Sequence, residues 1–197
     1  MFGSCGRLET IYATSFSNSG LSGSLMFNGC SRMVGGTDGY VPSNTSGATV
    51  CKLGPSGVLT DPDADSRTWF WAHYYEDGEA VLTATQTPDS SRTLRASGRI
   101  CANAKYVGLG FQPWDSTTGA THRQYLTKAT FAADMATFST INLIYLFYSC
   151  INLASIVGLS NLRDASSLRY TFSSCSFTTL DLRGFDPSSL TDLFYCF

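Results

Sequence analysis

Hydrophobic and polar positions follow two different rhythms along the chain. Between residues 68 and 86 they alternate. Thr68-Trp-Phe-Trp-Ala-His-Tyr-Tyr75 is an aromatic-rich run, Glu76-Asp77-Gly78 follows, and Glu79-Ala-Val-Leu-Thr-Ala-Thr-Gln86 returns. Successive side chains of a strand point to opposite faces, so this reads as two strands of a hairpin, with Trp69, Trp71, His73 and Tyr75 on one face and Phe70, Ala72 and Tyr74 on the other. An Asp-Gly pair between two such runs predicts a type I′ turn. Further strands are expected over 92–100, 106–111 and 124–131. Residues 37–67, rich in Gly, Ser, Pro and Asp, read as irregular.

The second rhythm is long. Met1-Phe2-Gly-Ser-Cys5 matches Met26-Phe27-Asn-Gly-Cys30, and Phe147-Tyr-Ser-Cys150 matches Phe172-Ser-Ser-Cys175. Each pair is spaced by 25 residues, and a further 25 from Phe172 reaches Phe197. Apolar residues follow the F-x-x-C: Leu8 and Ile11 after the first, and Leu153, Ile156 and Leu159 after the third. Phe177-x-x-Leu180-x-Leu182-x-x-Phe185 fits an L-x-x-L-x-L pattern. One such unit cannot bury its apolar stripe alone. Stacked units can, because equivalent residues lie about 4.8 Å apart and share a core. The L-x-L segment is expected to be a strand, and Asp186-Pro187-Ser188-Ser189 a turn.

Two of these segments, "MFNGCSRMVGG" and "LDLRGFDPSSLTDLFYCF", resemble the BspA-type leucine-rich repeats of bacterial surface proteins, with their Met-Phe-x-x-Cys-x-x-Leu core. The resemblance covers roughly residues 1–60 and 129–197. Leu146 and Thr171 stand where that pattern has Met, and Thr178 where it has Leu. The expected fold is therefore mainly β: a leucine-rich-repeat-like solenoid in two short blocks, 1–66 and 129–197, separated by a small antiparallel β unit over 67–128. The repeat core would consist of Phe2, Cys5, Phe27, Cys30, Phe147, Cys150, Phe172, Cys175 and Phe197. The resemblance implies an extracellular or cell-surface location and a role in adhesion or protein binding. Similar repeats in phage-associated proteins give a second expectation, a structural or receptor-binding part of a phage tail.

Composition narrows the chemistry. Charged residues make up 14% of the chain, well below the roughly 25% usual in soluble domains. A net charge of −2 gives no basis for nucleic-acid binding. Arg92, Arg95, Arg99 and Lys105 form a loose basic stretch that reads as a solvated strand face. No apolar run reaches the roughly 18 residues of a membrane span. The seven cysteines include no C-x-x-C pair, and His73 and His122 are the two histidines, so neither a metal nor a cofactor is expected. Equivalent cysteines on neighbouring coils come within disulfide range, but parallel side chains make the bridge torsion awkward. Buried free thiols are the expectation.

Other motifs carry less. Asp61-x-Asp63-x-Asp65 begins like a calcium loop but has Ser66 and Ala72 where Gly and Glu are required. Asn44-Thr45-Ser46 is a glycosylation sequon. No G-x-S-x-G elbow or phosphate loop is present. Trp69, Trp71, Tyr75 and Trp114 are candidate ligand contacts, since aromatic faces stack on sugars and anchor protein partners. Packing within the core is the competing role for the same residues. The functional expectation is a non-catalytic module whose partners are a host or bacterial surface protein or glycan and neighbouring modules of the same array. A carbohydrate-active enzyme is the remaining alternative. The chain reads as a window from a longer array, and its uncapped coils would associate head-to-tail.

Overall fold

The computed structural model describes residues 57–60, 66–103 and 122–197, together with positions 5, 8, 10–16, 19, 27, 30 and 33–35. It is mainly β. Among the described residues the helical elements are short 3-10 turns, and no helix is long and apolar enough to cross a membrane. The chain divides into two compact units, 1–67 with 103–108, and 68–102 with 109–197. The segments expected at 106–111 and 61–65, the sequon, Phe2, Lys105 and Trp114 lie outside the described residues.

In the first unit, β1 (Ile11–Tyr12) runs parallel to β2 (Leu59–Thr60) over a core of Phe27, Cys30, Met33, Val58 and Leu59. The sequence places 59–60 in an irregular segment. Pairing with β1 overrides that local composition, because both residues of β2 are buried. Gly35 is required here: a Cβ would come within 2.3 Å of the Val58 carbonyl oxygen. Arg67 is buried and donates to the Thr10 hydroxyl at 2.9 Å and to the Val34 carbonyl.

The second unit is built on a five-stranded sheet, ordered β5-β3-β4-β6-β8. Its strands are β3 (Trp69–Tyr75), β4 (Glu79–Thr83), β5 (Leu94–Cys101), β6 (Lys128–Phe131) and β8 (Ser155–Val157). β3 pairs antiparallel with β4 and β5, whereas β4–β6 and β6–β8 are parallel. The sheet thus runs without a break past residue 128, where the sequence divides the β insertion from the second block. The β3–β4 turn is not type I′. Gly78 has φ +86°, but Asp77 does not have positive φ, and the Gly78 N–H closes on the Tyr75 carbonyl at 3.1 Å. This is a three-residue connection with Gly in the left-handed position, a G1-type bulge. Asp77 instead accepts from the Glu79 N–H. Residues 122–125, expected partly as strand, form a 3-10 turn that leads into β6.

The inner face of the sheet carries Phe70, Ala72, Tyr74, Ala80, Leu82, Ala129 and Phe131, all buried. They share one core with Leu143, Leu146, Phe147, Cys150, Leu153, Leu168 and Phe172. Those residues come from segments 25 apart that lie side by side. β7 (Ile141–Asn142) is parallel to β9 (Ala165–Ser167), and Ser167 bridges to Asp192. The F-x-x-C-x-x-L pattern is a chain of reverse turns. Cys150 N–H donates to Phe147 O and Leu153 N–H to Cys150 O, each at 3.0 Å. Cys30 to Phe27 and Met33 to Cys30 repeat this in the first unit. The expected strand at Leu180–Leu182 is not one. Leu182 is 45% exposed, and a shallow cleft of about 200 Å³ separates Asp181 and Arg183 from Val157–Ser160.

Candidate functional site: the outer face of the sheet and the stacked segments

β3 places Trp69, Trp71, His73 and Tyr75 on the outer face by strand alternation, as its sequence requires. The two tryptophans are half-buried, while His73 is 1% exposed and Tyr75 is buried too. The expected pair of roles is therefore divided along the strand. The Tyr75 end is covered, and the Trp end borders solvent.

What covers Tyr75 and His73 is the segment 84–93. Asp89 N–H donates to the Tyr75 hydroxyl at 2.9 Å. The Arg92 guanidinium lies 3.9 Å from the Tyr75 ring centre. His73 Nε2 faces the Thr85 carbonyl at 3.0 Å. A carbonyl oxygen can only accept, so Nε2 carries the proton, and Nδ1 accepts from the Ser97 hydroxyl at 2.8 Å. Both ring nitrogens are thereby satisfied. Trp71 stacks on this imidazole, with centroids 6.2 Å apart at 14°.

Arg92, Arg95 and Arg99 of the basic stretch are embedded in partners. Arg92 pairs with Asp77 at 2.5 Å and with Glu79 at 2.9 Å; Lys128 reaches Glu79 at 2.9 Å, and Arg95 pairs with Glu76. Arg99 stands directly opposite Trp71 across the strands and lies 4.3 Å from the Trp69 ring centre, a cation–π contact. Burial raises the Glu79 pKa, but the Thr130 hydroxyl, Lys128 and Arg92 outweigh it and hold the carboxyl below its ordinary range. The hydrogen bond from Arg92 similarly lowers Asp77. Asp134 accepts from the hydroxyls of Thr83 and Thr85 through Oδ2, while its Oδ1 is buried without a hydrogen-bond partner.

The repeat residues have a different arrangement. Phe147, Phe172 and Phe197 stack at 6.1 and 5.9 Å. A second column, not singled out from the sequence, is tighter: Tyr145, Tyr170 and Tyr195 stack at 4.8 and 5.4 Å, with interplanar angles of 4° and 12°. All three tyrosines have positive φ, as do Ser149 and Ser174. At each step the residue three before the tyrosine accepts from a backbone N–H two positions on. Asn142 takes it from Ile144, Ser167 from Arg169 and Asp192 from Phe194. A pattern Asn/Ser/Asp-Leu-x-Tyr-x-Phe at 25-residue spacing was the available clue in the sequence.

Among the described residues Cys30, Cys101, Cys150 and Cys196 are buried, Cys175 is half-buried, and Cys5 is exposed. The Cys175 thiol donates to the Phe147 carbonyl at 3.2 Å. Burial pushes Cys175 and Cys196 up to about 11 each, so neither is a thiolate at neutral pH. Among the described residues no group of His, Cys, Asp and Glu is arranged to hold a metal ion. Compared with known protein families, with curated proteins and with solved structures, the chain finds no match in any of the three.

Proposed function

We propose that the chain is a non-catalytic recognition module of an exported or cell-surface repeat protein. In this reading its 25-residue units wind as a leucine-rich-repeat-like solenoid, and the Trp71–Arg99 end of the outer sheet face contacts a protein or glycan partner. The observation that carries the reading is the stacking of segments 141–150, 166–175 and 191–197, in which rings, turns and side-chain caps recur at each 25-residue step. Such stacking holds a face rigid over a long span, which suits binding rather than turnover. The resemblance to BspA-type repeats points the same way. The half-buried Trp71 beside an arginine fits the residue types that dominate binding surfaces.

A binding screen of the folded protein against glycans and extracellular-matrix proteins tests this, with Trp71→Ala and Trp69→Ala as controls. The expected outcome is a saturable partner whose affinity drops about tenfold or more with Trp71→Ala at an unchanged melting temperature. A parent that binds nothing, or variants that bind equally well, would sink it.

A further inference from the structure

β8 is the last strand of the five-stranded sheet, and its far edge faces residues 179–183 across the shallow cleft. The Ser155 N–H donates to the Thr127 carbonyl at 3.3 Å, so Ser155 and Val157 turn their backbone groups toward β6. Alternation along a parallel strand then points the N–H and carbonyl of Ile156 the other way. Among the described residues, 179–182 make no backbone hydrogen bond to either group. The cleft of about 200 Å³ lies between them, lined by 156–160, Asp181 and Arg183.

The flanks of 179–183 are already in place. Phe177 and Leu180 pack against the same core as Ile156, and a Cβ at Gly184 would lie 3.1 Å from that of Ser160. Ser160 is 24 residues before Gly184, not 25. The shorter step begins after Cys175, which Phe177 follows by two residues, whereas Leu153 follows Cys150 by three. A step of 24 sets Leu180 beside Ile156 and continues the core-facing row Ala80, Ala129, Ile156. A step of 25 would turn Asp181 into that row, where an unpaired carboxylate is costly. With 24, Leu182 falls on the same side as Leu180, next to Gly158; it is 45% exposed as the segment stands. Asp181 holds the segment off. Its Oδ1 accepts from the Arg183 N–H at 3.0 Å, and its two oxygens take the guanidinium at 2.6–3.1 Å. A side-chain oxygen reaches the N–H two residues on where the chain bends, and that bend competes with strand pairing.

We propose that residues 179–183 are a strap that closes on β8 as a sixth, parallel strand, and that the Asp181 carboxylate latches it open. In the closed state the Ile156 N–H donates to the Thr179 carbonyl, and the N–H of residue 181 donates to the Ile156 carbonyl. Leu182 then fills the cleft. Thr179 and Asp181 join the outer face beside Ser155 and Val157, so the strap alters the far edge of that face. An uncovered sheet edge is thereby closed by the chain's own next segment. Neither the cleft nor the latch involves the Trp71 end, so the strap experiment and the binding screen fail separately.

Amide hydrogen exchange of the intact protein, followed by NMR, reads the strap at Ile156. In the parent this amide should exchange at least about tenfold faster than that of Val157, which faces β6. Asp181→Val removes the latch and sets a strand-favouring residue opposite Val157, so it should slow exchange at Ile156 about tenfold or more. Asp181→Pro also removes the latch but lacks the N–H that the closed strap gives to Ile156, so exchange there should stay as fast as in the parent. Melting temperatures confirm that both variants fold. Parent exchange as slow at Ile156 as at Val157 overturns the proposal. So does exchange unchanged by Asp181→Val, or slowed equally by Asp181→Pro. Slowing that grows with protein concentration also overturns it, by making a second copy the occupant of the edge.

Discussion

The outer sheet face and the stacked segments of the same unit satisfy their polar groups by opposite means. On the sheet, each group is answered by a different chemical type across the strands: His73 by Ser97 and Thr85, Glu79 by Arg92, Lys128 and Thr130, Trp69 by Arg99. In the stack, rings are answered by their counterparts 25 residues away, and N–H groups by carbonyls 24 residues on. A change on the sheet should stay local. A change in the stack should be felt by the neighbouring segments, because cost and compensation recur at each step.

The largest effect should come from the buried end of the phenylalanine column. Phe147 is fully buried, and its ring meets both Phe131 and Phe172. Phe147→Ala is expected to cost about 3–5 kcal/mol in urea or guanidinium unfolding. The same change at exposed Phe197 should cost no more than about 0.5 kcal/mol. Equal losses at the two positions would break the picture of a column with one buried and one exposed end.

On the sheet, His73→Phe keeps the ring volume but strands the Thr85 carbonyl and removes the acceptor of the Ser97 hydroxyl. A loss of about 1–3 kcal/mol is expected. Ser97→Ala should cost roughly 1 kcal/mol, since His73 keeps its bond to Thr85. If Ser97→Ala cost as much as His73→Phe, the cross-strand pair would be the whole effect.

The Glu79 cluster gives the sheet a pH dependence. The folded-state pKa of Glu79 is depressed, so its contribution is present above the unfolded pKa and is lost as pH falls through the folded one. Stability should therefore fall on acidification, from the ordinary glutamate range downward. Glu79→Gln should flatten that part of the profile and cost about 1–3 kcal/mol at neutral pH. A profile unchanged by Glu79→Gln would place the titration elsewhere.

The smallest effect concerns backbone strain in the stack. A non-glycine residue in the left-handed region costs roughly 1–2 kcal/mol, and Ser174 sits there at φ +61°. Ser174→Gly relieves that strain but adds freedom to the unfolded chain. A net gain below about 1 kcal/mol is expected, read from the denaturation midpoint. Tyr170→Gly, at a similar φ, should be net destabilising because it also removes a ring from the middle of the tyrosine column. Stabilisation by both changes would mean that the column contributes little.

Much of this arrangement was legible in the residues. The alternation of Trp69–Tyr75 sorted the inner from the outer face of β3 correctly, and the F-x-x-C spacing picked out Phe147, Cys150 and Phe172, which lie in one core. Elsewhere neighbours overrode local pattern. Leu180-x-Leu182 has the spacing of a strand, but at this position the segment opens away from β8. Asp181 and Arg183 form an exposed ion pair that holds the Asp181 pKa down to about 2. Asp77-Gly78 has the composition of a type I′ turn. A Cβ at Gly78 would lie 2.8 Å from the Thr127 hydroxyl, so packing against the segment before β6 bears on this turn.

The sequence by itself determined which positions are apolar, which recur at 25 residues and which strand face carries the aromatic side chains. These follow from side-chain chemistry and chain periodicity, which are local properties. Only the tertiary structure decided that three tyrosines would take left-handed backbone and that their rings would stack in one column. No single tyrosine favours that conformation. At Tyr145 and Tyr170 the stacked ring, 25 positions away, and the carbonyl of the next segment, 24 positions on, offset its cost.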